Sequence, residues 1–354
     1  MVYEPYVDPT PSSPNLVCVY DIVDVSRETR IMSSYASGAY TSMIVDGVEM
    51  DFDCYYQFDT EGLHTVEFVF DEEYKTTLPS QGFDFVTQLV SITIPESITS
   101  IPLDSIRFDN LKEFKGKYAS KDGKCLIIDN KLHMVVKKDL TSFIVPDGVT
   151  TIGGEAFRDC NSLTSVTIPD SVTTIGELAF SYCRSLTSIT IPDSVTTIGG
   201  SAFTDCNSLP VIDNIRYADT YLVDAVDTSL TTYSINPGTR FIGSYAFSYC
   251  SNLASVNIPD SVTTIGYGAF YYCGSLESVT IGDSVTTIGG DAFIGCDSLT
   301  SMYCKATTPP DGGYHMFGSD ASGRVIYVPN ESVEAYKTAE YWNYYANAIE
   351  GYNF

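Results

Sequence analysis

The sequence has no run of 18 apolar residues, so nothing in it reads as a bilayer-spanning helix. Positive charge is scarce: 19 Lys and Arg stand against 45 Asp and Glu, a formal net charge of −26. A field of that sign repels phosphate backbones and anionic lipid, which argues against nucleic acid and against a membrane surface as partners. It leaves a cationic partner open. The opening MVYEPYVDPTPSSP has neither a basic n-region nor an apolar h-region, so no signal peptide is read in this chain. Histidine occurs only at His64, His133 and His315, and no CxxC or HxxxH pair is present. No zinc site is expected from that distribution, nor any other metal site. GxSxG, a glycine-rich phosphate loop and a paired-carboxylate constellation are also missing. The reading is therefore no enzyme, no catalytic residue and no cofactor.

What the chain has in abundance is repetition. Cys160, Cys183 and Cys206 are 23 residues apart, and Cys250, Cys273 and Cys296 repeat that step. Phe157, Phe180, Phe203, Phe247, Phe270 and Phe293 keep the same beat, as do the leucines from Leu163 to Leu299. The one break, Cys206 to Cys250, is 44 residues, two steps less two. A period of this length marks a stacked array in which each unit buries its apolar face only against its neighbours.

Within one unit, LTSVTIPDSVTTIGELAFSYCRS, the end of L-x-x-V-x-I alternates as a strand with one buried face requires. Proline then stops the ladder, V-x-x-I returns apolar groups to the core, and the glycine that follows is read as permitting a tight bend. Ala-Phe fills the coil interior. Cysteines stacked about 4.7–4.9 Å apart lie within disulfide reach, but their side chains point the same way, so a buried thiol ladder is favoured. Asp170, Asp193, Asp260 and Asp283 recur after the strand and are read as turn formers rather than a calcium column.

Outside the array, residues 15–78 change to β alternation: six short strands, with Asp46-Gly47 as a hairpin turn and a possible seventh strand in YKTTLP. This predicts a small immunoglobulin-like β-sandwich over 1–82, with a half-barrel as the alternative, acting as spacer or cap in preference to a separate binding module. Two insertions, near 113–142 and 211–235, read as hairpins that should protrude from one edge of a solenoid over 83–328. Around the first lies the one basic cluster: Lys112, Lys115, Lys117, Lys121, Lys124, Lys131, Lys137 and Lys138. Residues 329–354 read as a helical cap, with a helix over 331–349 and Trp342 packed inward.

The repeat units LTSVTIPDSVTTIGELAFSYCRS and LTSITIPDSVTTIGGSAFTDCNS closely resemble the BspA-like class of leucine-rich repeats found in bacterial surface proteins, over about residues 85–328. The order of sandwich then repeats, and the ending RVIYVPNESVEAYKTAEYWNYY, resemble secreted proteins of Bacteroides-type anaerobes. The resemblance implies a leucine-rich-repeat solenoid with a parallel β-sheet and few short helices. It also implies a location at the cell surface or outside the cell, and adhesion to host matrix proteins, host cells or other bacteria.

Function must then be sought where copies differ. The outward strand positions Ser165, Thr167, Ser188, Thr190, Ser255, Asn257, Ser278 and Thr280 are small and polar, and lack the aromatic or arginine anchors that dominate binding energy. Tyr182, Tyr245, Tyr249, Tyr267, Tyr271 and Tyr272 fall at variable positions beside the repeated Phe and Cys, and are expected to face outward as a contact surface. The competing reading is that they only pack between neighbouring coils. The expectation is thus a non-enzymatic binding or adhesion protein, monomeric, whose partner is a protein or, alternatively, a glycan stacked on exposed tyrosines.

Overall fold

A computed structural model of the chain describes residues 13–79, 83, 86–101, 110–137, 139–318 and 323–354. These fall into two compact units: Met1–Arg184 with Pro192–Gly199, and Ser185–Ile191 with Gly200–Phe354.

In the first unit, Leu16–Ile22, Tyr40–Val45, Val48–Asp51 and Gly62–Phe70 form an antiparallel sheet. Asp46 and Gly47 both have positive φ, 47° and 86°, as the expected hairpin turn requires. The other edge of Leu16–Ile22 does not end the sheet. It pairs antiparallel with Leu89–Thr93, which pairs in parallel with Glu113–Lys115. A two-residue ribbon, Thr29–Arg30 with Tyr55–Tyr56, stands apart. A sandwich needs two facing sheets, and the described residues of this region supply one sheet and that ribbon. The physical reason is the partner of the buried face. Leu16–Ile22 alternates buried and half-buried, and its buried side joins Ile92, Ile98, Phe114 and Leu126 of the first coils in one core. The seventh strand expected in YKTTLP is a turn with a single bridge, Thr77 to Ser100.

Both units carry parallel β-solenoid coils with few helices. One column of strands is three or four residues long: Ser142–Ile144 beside Ser165–Thr167 in the first unit, and Ser255–Asn257, Ser278–Ile281, Ser301–Cys304 and Val325–Pro329 in the second. A second column holds two-residue Thr-Ile strands in register, such as Thr151–Ile152, Thr174–Ile175 and Thr197–Ile198. Between the columns, Pro-Asp-Ser-Val closes a turn by a bond from the valine N–H to the proline carbonyl, 3.1 Å in Val172 to Pro169. The serine and threonine hydroxyls of this stretch are not idle polar surface. Ser171 donates to Val149 O at 2.8 Å and Ser261 to Thr239 O at 2.7 Å, each reaching the preceding coil.

The interior is a stack of identical groups. Phe157 and Phe180 have ring centroids 4.8 Å apart, and Phe247, Phe270 and Phe293 follow at 5.0 Å, with planes within 13° throughout. All ten cysteines are buried thiols. Cys183, Cys273 and Cys296 donate their S–H to the carbonyls of Phe157, Phe247 and Phe270 in the preceding coil, at 3.1–3.2 Å. Those carbonyls also accept the cysteine N–H of their own coil, as in Cys250 to Phe247 at 3.2 Å. A small apolar side chain with one donor fits this slot, and cysteine is that residue. The neighbouring Cys296 thiol and burial together hold the Cys273 thiol well above its ordinary range, so it stays a protonated donor.

The glycine after Thr-Ile serves a purpose different from the expected bend. Gly176, Gly199, Gly266 and Gly289 all lie outside the left-handed region. A Cβ on Gly176 would sit 2.4 Å from Gly154 N, and one on Gly199 2.3 Å from Glu177 N. The residue is glycine because the backbone of the preceding coil passes too close for any side chain.

The two insertions do not protrude. In each, the second strand of the hairpin takes a place in the Thr-Ile column: Lys131 and Leu132 pair with Thr151 and Ile152, and Tyr221 and Leu222 with Phe241 and Ile242. The first strands, Cys125–Ile128 and Ile215–Ala218, are buried at every residue. An insertion whose first strand is buried at every position belongs inside the stack. At the C-terminus the single long helix is replaced by three short pieces: Asn330–Ser332, a six-residue α-helix Val333–Thr338, and Trp342–Ala348, followed by the strand Ile349–Tyr352. Tyr341, with φ of 63°, breaks the run. Trp342 is fully buried as expected, and its indole N–H donates to Pro310 O at 2.8 Å.

Two outcomes are expected. Cys273→Ala removes the second donor to the Phe247 carbonyl and leaves a small void, so chemical denaturation should show a loss of about 1–2 kcal/mol. His133, held down to about 4 by burial and then by Lys131, stays neutral in the folded chain. The unfolded chain takes up that proton near pH 6.5, so stability should fall as pH drops from about 6.5 to about 4 and then level off. His133→Gln should flatten that part of the profile in thermal melts.

Candidate functional site

Each coil turns back after its glycine through a segment with two left-handed residues, one before Ala-Phe and one before Cys. The first position holds Glu155, Leu178, Ser201, Tyr245, Gly268 and Asp291; the second holds Asp159, Tyr182, Asp205, Tyr249, Tyr272 and Gly295, all with φ between 54° and 73°. The alternation lets every second N–H point along the stack. Tyr245 N–H donates to Tyr267 O at 2.9 Å, and Phe247 and Tyr249 donate to Ala269 O and Tyr271 O at 2.7 Å. The turn geometry is therefore imposed by the ladder between coils and does not depend on the side chain present.

Glycine and aspartate adopt this conformation at low cost, whereas a bulky residue gives up about 1–2 kcal/mol. Tyrosine nevertheless occupies the strained position at Tyr182, Tyr245, Tyr249 and Tyr272.

The structure brings five of the six predicted tyrosines together, all in the second unit. Tyr249 and Tyr272 stack at 5.8 Å with planes 14° apart. Tyr271 stands edge-on to both, at 5.8 and 4.6 Å, and to Tyr245 at 6.0 Å. Tyr267 meets Tyr245 at 5.5 Å in a T-shape. Exposure is 45% for Tyr245, 63% for Tyr249, 45% for Tyr267 and 51% for Tyr272, so the rings touch one another and still face solvent. The Tyr267 hydroxyl is hydrogen-bonded to the Asp291 carboxylate, which together with the negative surroundings pushes it up to about 12. Tyr271 is raised as well, by the rings that cover it and then by its neighbours' charge. Tyr182 lies in the first unit, where Arg158 and Arg184 lie over its ring at 5.6 and 5.8 Å.

The rings pack between neighbouring coils while keeping part of their surface in solvent, because they are seated on the next coil. A Cβ on Gly268 would lie 2.7 Å from Tyr245 Cε1, and one on Gly295 2.9 Å from Tyr272 Cδ1. Tyr245 and Tyr272 are thus each matched by a glycine at the same position of the next coil, whereas Tyr249 is followed there by Tyr272.

Other candidates disperse. Around the first insertion Lys112 pairs with Asp21, Lys115 with Glu113 and Lys117 with Glu96, at 3.0–3.4 Å, which makes a mixed-charge surface. Lys138 lies outside the described residues. Asp260 pairs with Lys305 at 3.2 Å. A second aromatic group escaped the sequence reading: Tyr303 and Tyr327 stack at 4.9 Å on adjacent parallel strands, with Tyr352 5.4 Å from each. Its signal was the departure from Asn257 and Thr280, which hold the same outward column in earlier coils.

The repeat matches the family model described as BspA type Leucine rich repeat region (6 copies) over residues 55–121, 127–220 and 226–336, which is most of the chain. The chain belongs to this BspA-type family. None of the curated proteins matches it. Among solved structures, this BspA-type chain is similar to a leucine-rich repeat protein of Treponema pallidum, at 25% identity over 68% of this chain and 98% of that one, with a TM-score of 0.31. It is also similar to a leucine-rich cell surface protein of Faecalibacterium prausnitzii, at 23% identity over 81% and 83% of the two chains and a TM-score of 0.30. A third is the pneumococcal vaccine antigen PcpA, at 18% identity over 79% and 85%, with a TM-score of 0.31. No helix among the described residues is long and apolar enough to cross a membrane.

The seating of the rings predicts two effects of opposite kind. Gly295→Ala should unseat Tyr272 and lower the melting temperature, since it adds both a clash and left-handed strain. Tyr249→Asn with Tyr272→Asn should leave thermal stability within about 1 kcal/mol of the parent, because relief of strain offsets the lost ring contacts.

Proposed function

We propose that this BspA-type protein is a non-enzymatic binding or adhesion protein of the cell surface or extracellular space, and that the tyrosine cluster of its second unit is where it contacts a protein partner. The observation that carries this reading is that tyrosine is placed at strained positions where glycine or aspartate serves the fold equally well. Residues kept in costly conformations are a mark of contact sites. Tyrosine gives a large amphipathic contact at low entropy cost, and these rings are already held in place by one another and by the coil beneath.

A glycan is the second reading, because exposed tyrosines stack on sugar rings. The arrangement of the rings favours it less. Tyr249 and Tyr272 face each other, Tyr271 abuts both, and Tyr272 lies against Gly295. A pyranose covers a whole ring face, whereas Tyr249 and Tyr272 each turn one face toward the other and leave less room than a small planar group needs.

A panel of purified extracellular-matrix proteins beside a glycan array tests the assignment. Binding to a matrix protein should weaken about tenfold or more in the Tyr249→Asn, Tyr272→Asn double variant while the melt is unchanged. Tyrosine-dependent binding to a glycan, or matrix binding indifferent to both substitutions, would overturn it.

A further inference from the structure

The chain itself shows what a tyrosine on this turn takes as a partner. Tyr182 occupies the position before Cys183, and two guanidinium groups of its own unit lie over it. Arg158 comes from the preceding coil at 5.6 Å and Arg184 from the same coil at 5.8 Å. Both distances fall inside the range at which a cation is attracted to a ring face. Tyr272 occupies the equivalent position before Cys273. The residues that correspond there to Arg158 and Arg184 are Ser248 and Gly274, and beside Tyr249 the counterpart of Arg184 is Ser251. The same turn therefore carries its cations built in at one place and lacks them at another, where the tyrosines are most numerous and most exposed.

Charge points the same way. Between residues 200 and 354 the sequence holds 16 Asp and Glu against 5 Lys and Arg. Four of those five are engaged elsewhere: Arg216 with Asp224, Lys305 with Asp260, Arg240 over the Phe241 ring, and the buried Arg324 with the carbonyls of Leu299 and Phe317. Asp291 stands at the rim of the cluster, bonded to the Tyr267 hydroxyl, and supplies a carboxylate that a planar, forked donor can reach.

We infer that the tyrosine cluster of the second unit binds arginine-bearing polypeptide segments, the guanidinium groups lying against the exposed ring surface of Tyr249 and its neighbours, which Tyr272 backs, and pairing with Asp291. This rests on the protein-contact reading above and narrows it to a cationic, arginine-rich partner. Lysine satisfies the charge but not the stacked, forked geometry, so arginine should be preferred.

The test uses the full chain and three labelled twelve-residue peptides of alternating glycine and arginine, glycine and lysine, or glycine and citrulline, read by fluorescence anisotropy. The arginine peptide should bind, the lysine peptide about fivefold more weakly, and the citrulline peptide, which keeps the shape without the charge, not measurably. Tyr249→Asn with Tyr272→Asn should reduce arginine-peptide binding about tenfold, and Asp291→Asn by a smaller factor. Equal binding of arginine and lysine peptides, or arginine binding unaffected by the tyrosine substitutions, would mean attraction to the overall negative charge and overturn the inference. If the tyrosine variant loses its matrix partner while the arginine peptide fails to bind the parent, the contact reading stands and the arginine preference falls. Loss of neither removes both.

Discussion

The constraint on which everything else depends is the distance between coils. Phenylalanine rings of successive turns lie 4.8–5.0 Å apart and nearly parallel, so the backbones that carry them lie at strand spacing all the way round the coil, including where no strand exists. At that spacing the backbone groups that the turns within a coil leave unpaired find their partners in a neighbouring turn. The Thr-Ile column does so as a parallel ladder, the Ser and Thr hydroxyls do so from their side chains, and the Phe carbonyl does so through a cysteine thiol. The repeated glycine follows from the same distance: where the turns come nearest, the space for a Cβ is gone.

This is why part of the structure was legible in the sequence and part was not. The 23-residue beat of Leu, Phe and Cys reports burial, and burial is set by pattern, so the solenoid and the inward Trp342 could be read directly. The repeated glycine could be read only as necessary; whether it bends or yields space depends on a neighbouring turn that the local sequence does not display. The hairpins look like insertions because they break the beat, yet their apolar strands pair with Thr151–Ile152 and Phe241–Ile242 as ordinary members of the column. The N-terminal strands alternate as a sandwich would, but alternation states only that one face is buried. What covers it is a long-range fact, and here the cover includes the first coils.

The tyrosines show the limit from the other side. Variation among copies singled out six residues, and five of them converge, because equivalent positions of stacked turns are neighbours in space. The left-handed backbone beneath them was not legible. In other copies those positions hold Glu, Leu, Ser, Asp and Gly, a mixture that reads as unconstrained surface. The constraint comes from the N–H ladder between turns, which fixes φ whatever the side chain is.

That independence gives the tyrosines their meaning. A ladder that holds the turn left-handed with aspartate or glycine gains nothing in the backbone from tyrosine and loses about 1–2 kcal/mol at each such site. Ring contacts return a comparable amount, so the cluster is close to neutral for the fold. Tyr245 and Tyr272 lie over glycines in the next turn, which keeps the rings ordered while about half of each remains in water. Order and exposure normally oppose each other for a large side chain. A stack of identical turns reconciles them, since each turn is both the support for one ring and the gap beside another. On the proposed reading, the solenoid would serve binding by holding exposed aromatic groups still before any partner arrives.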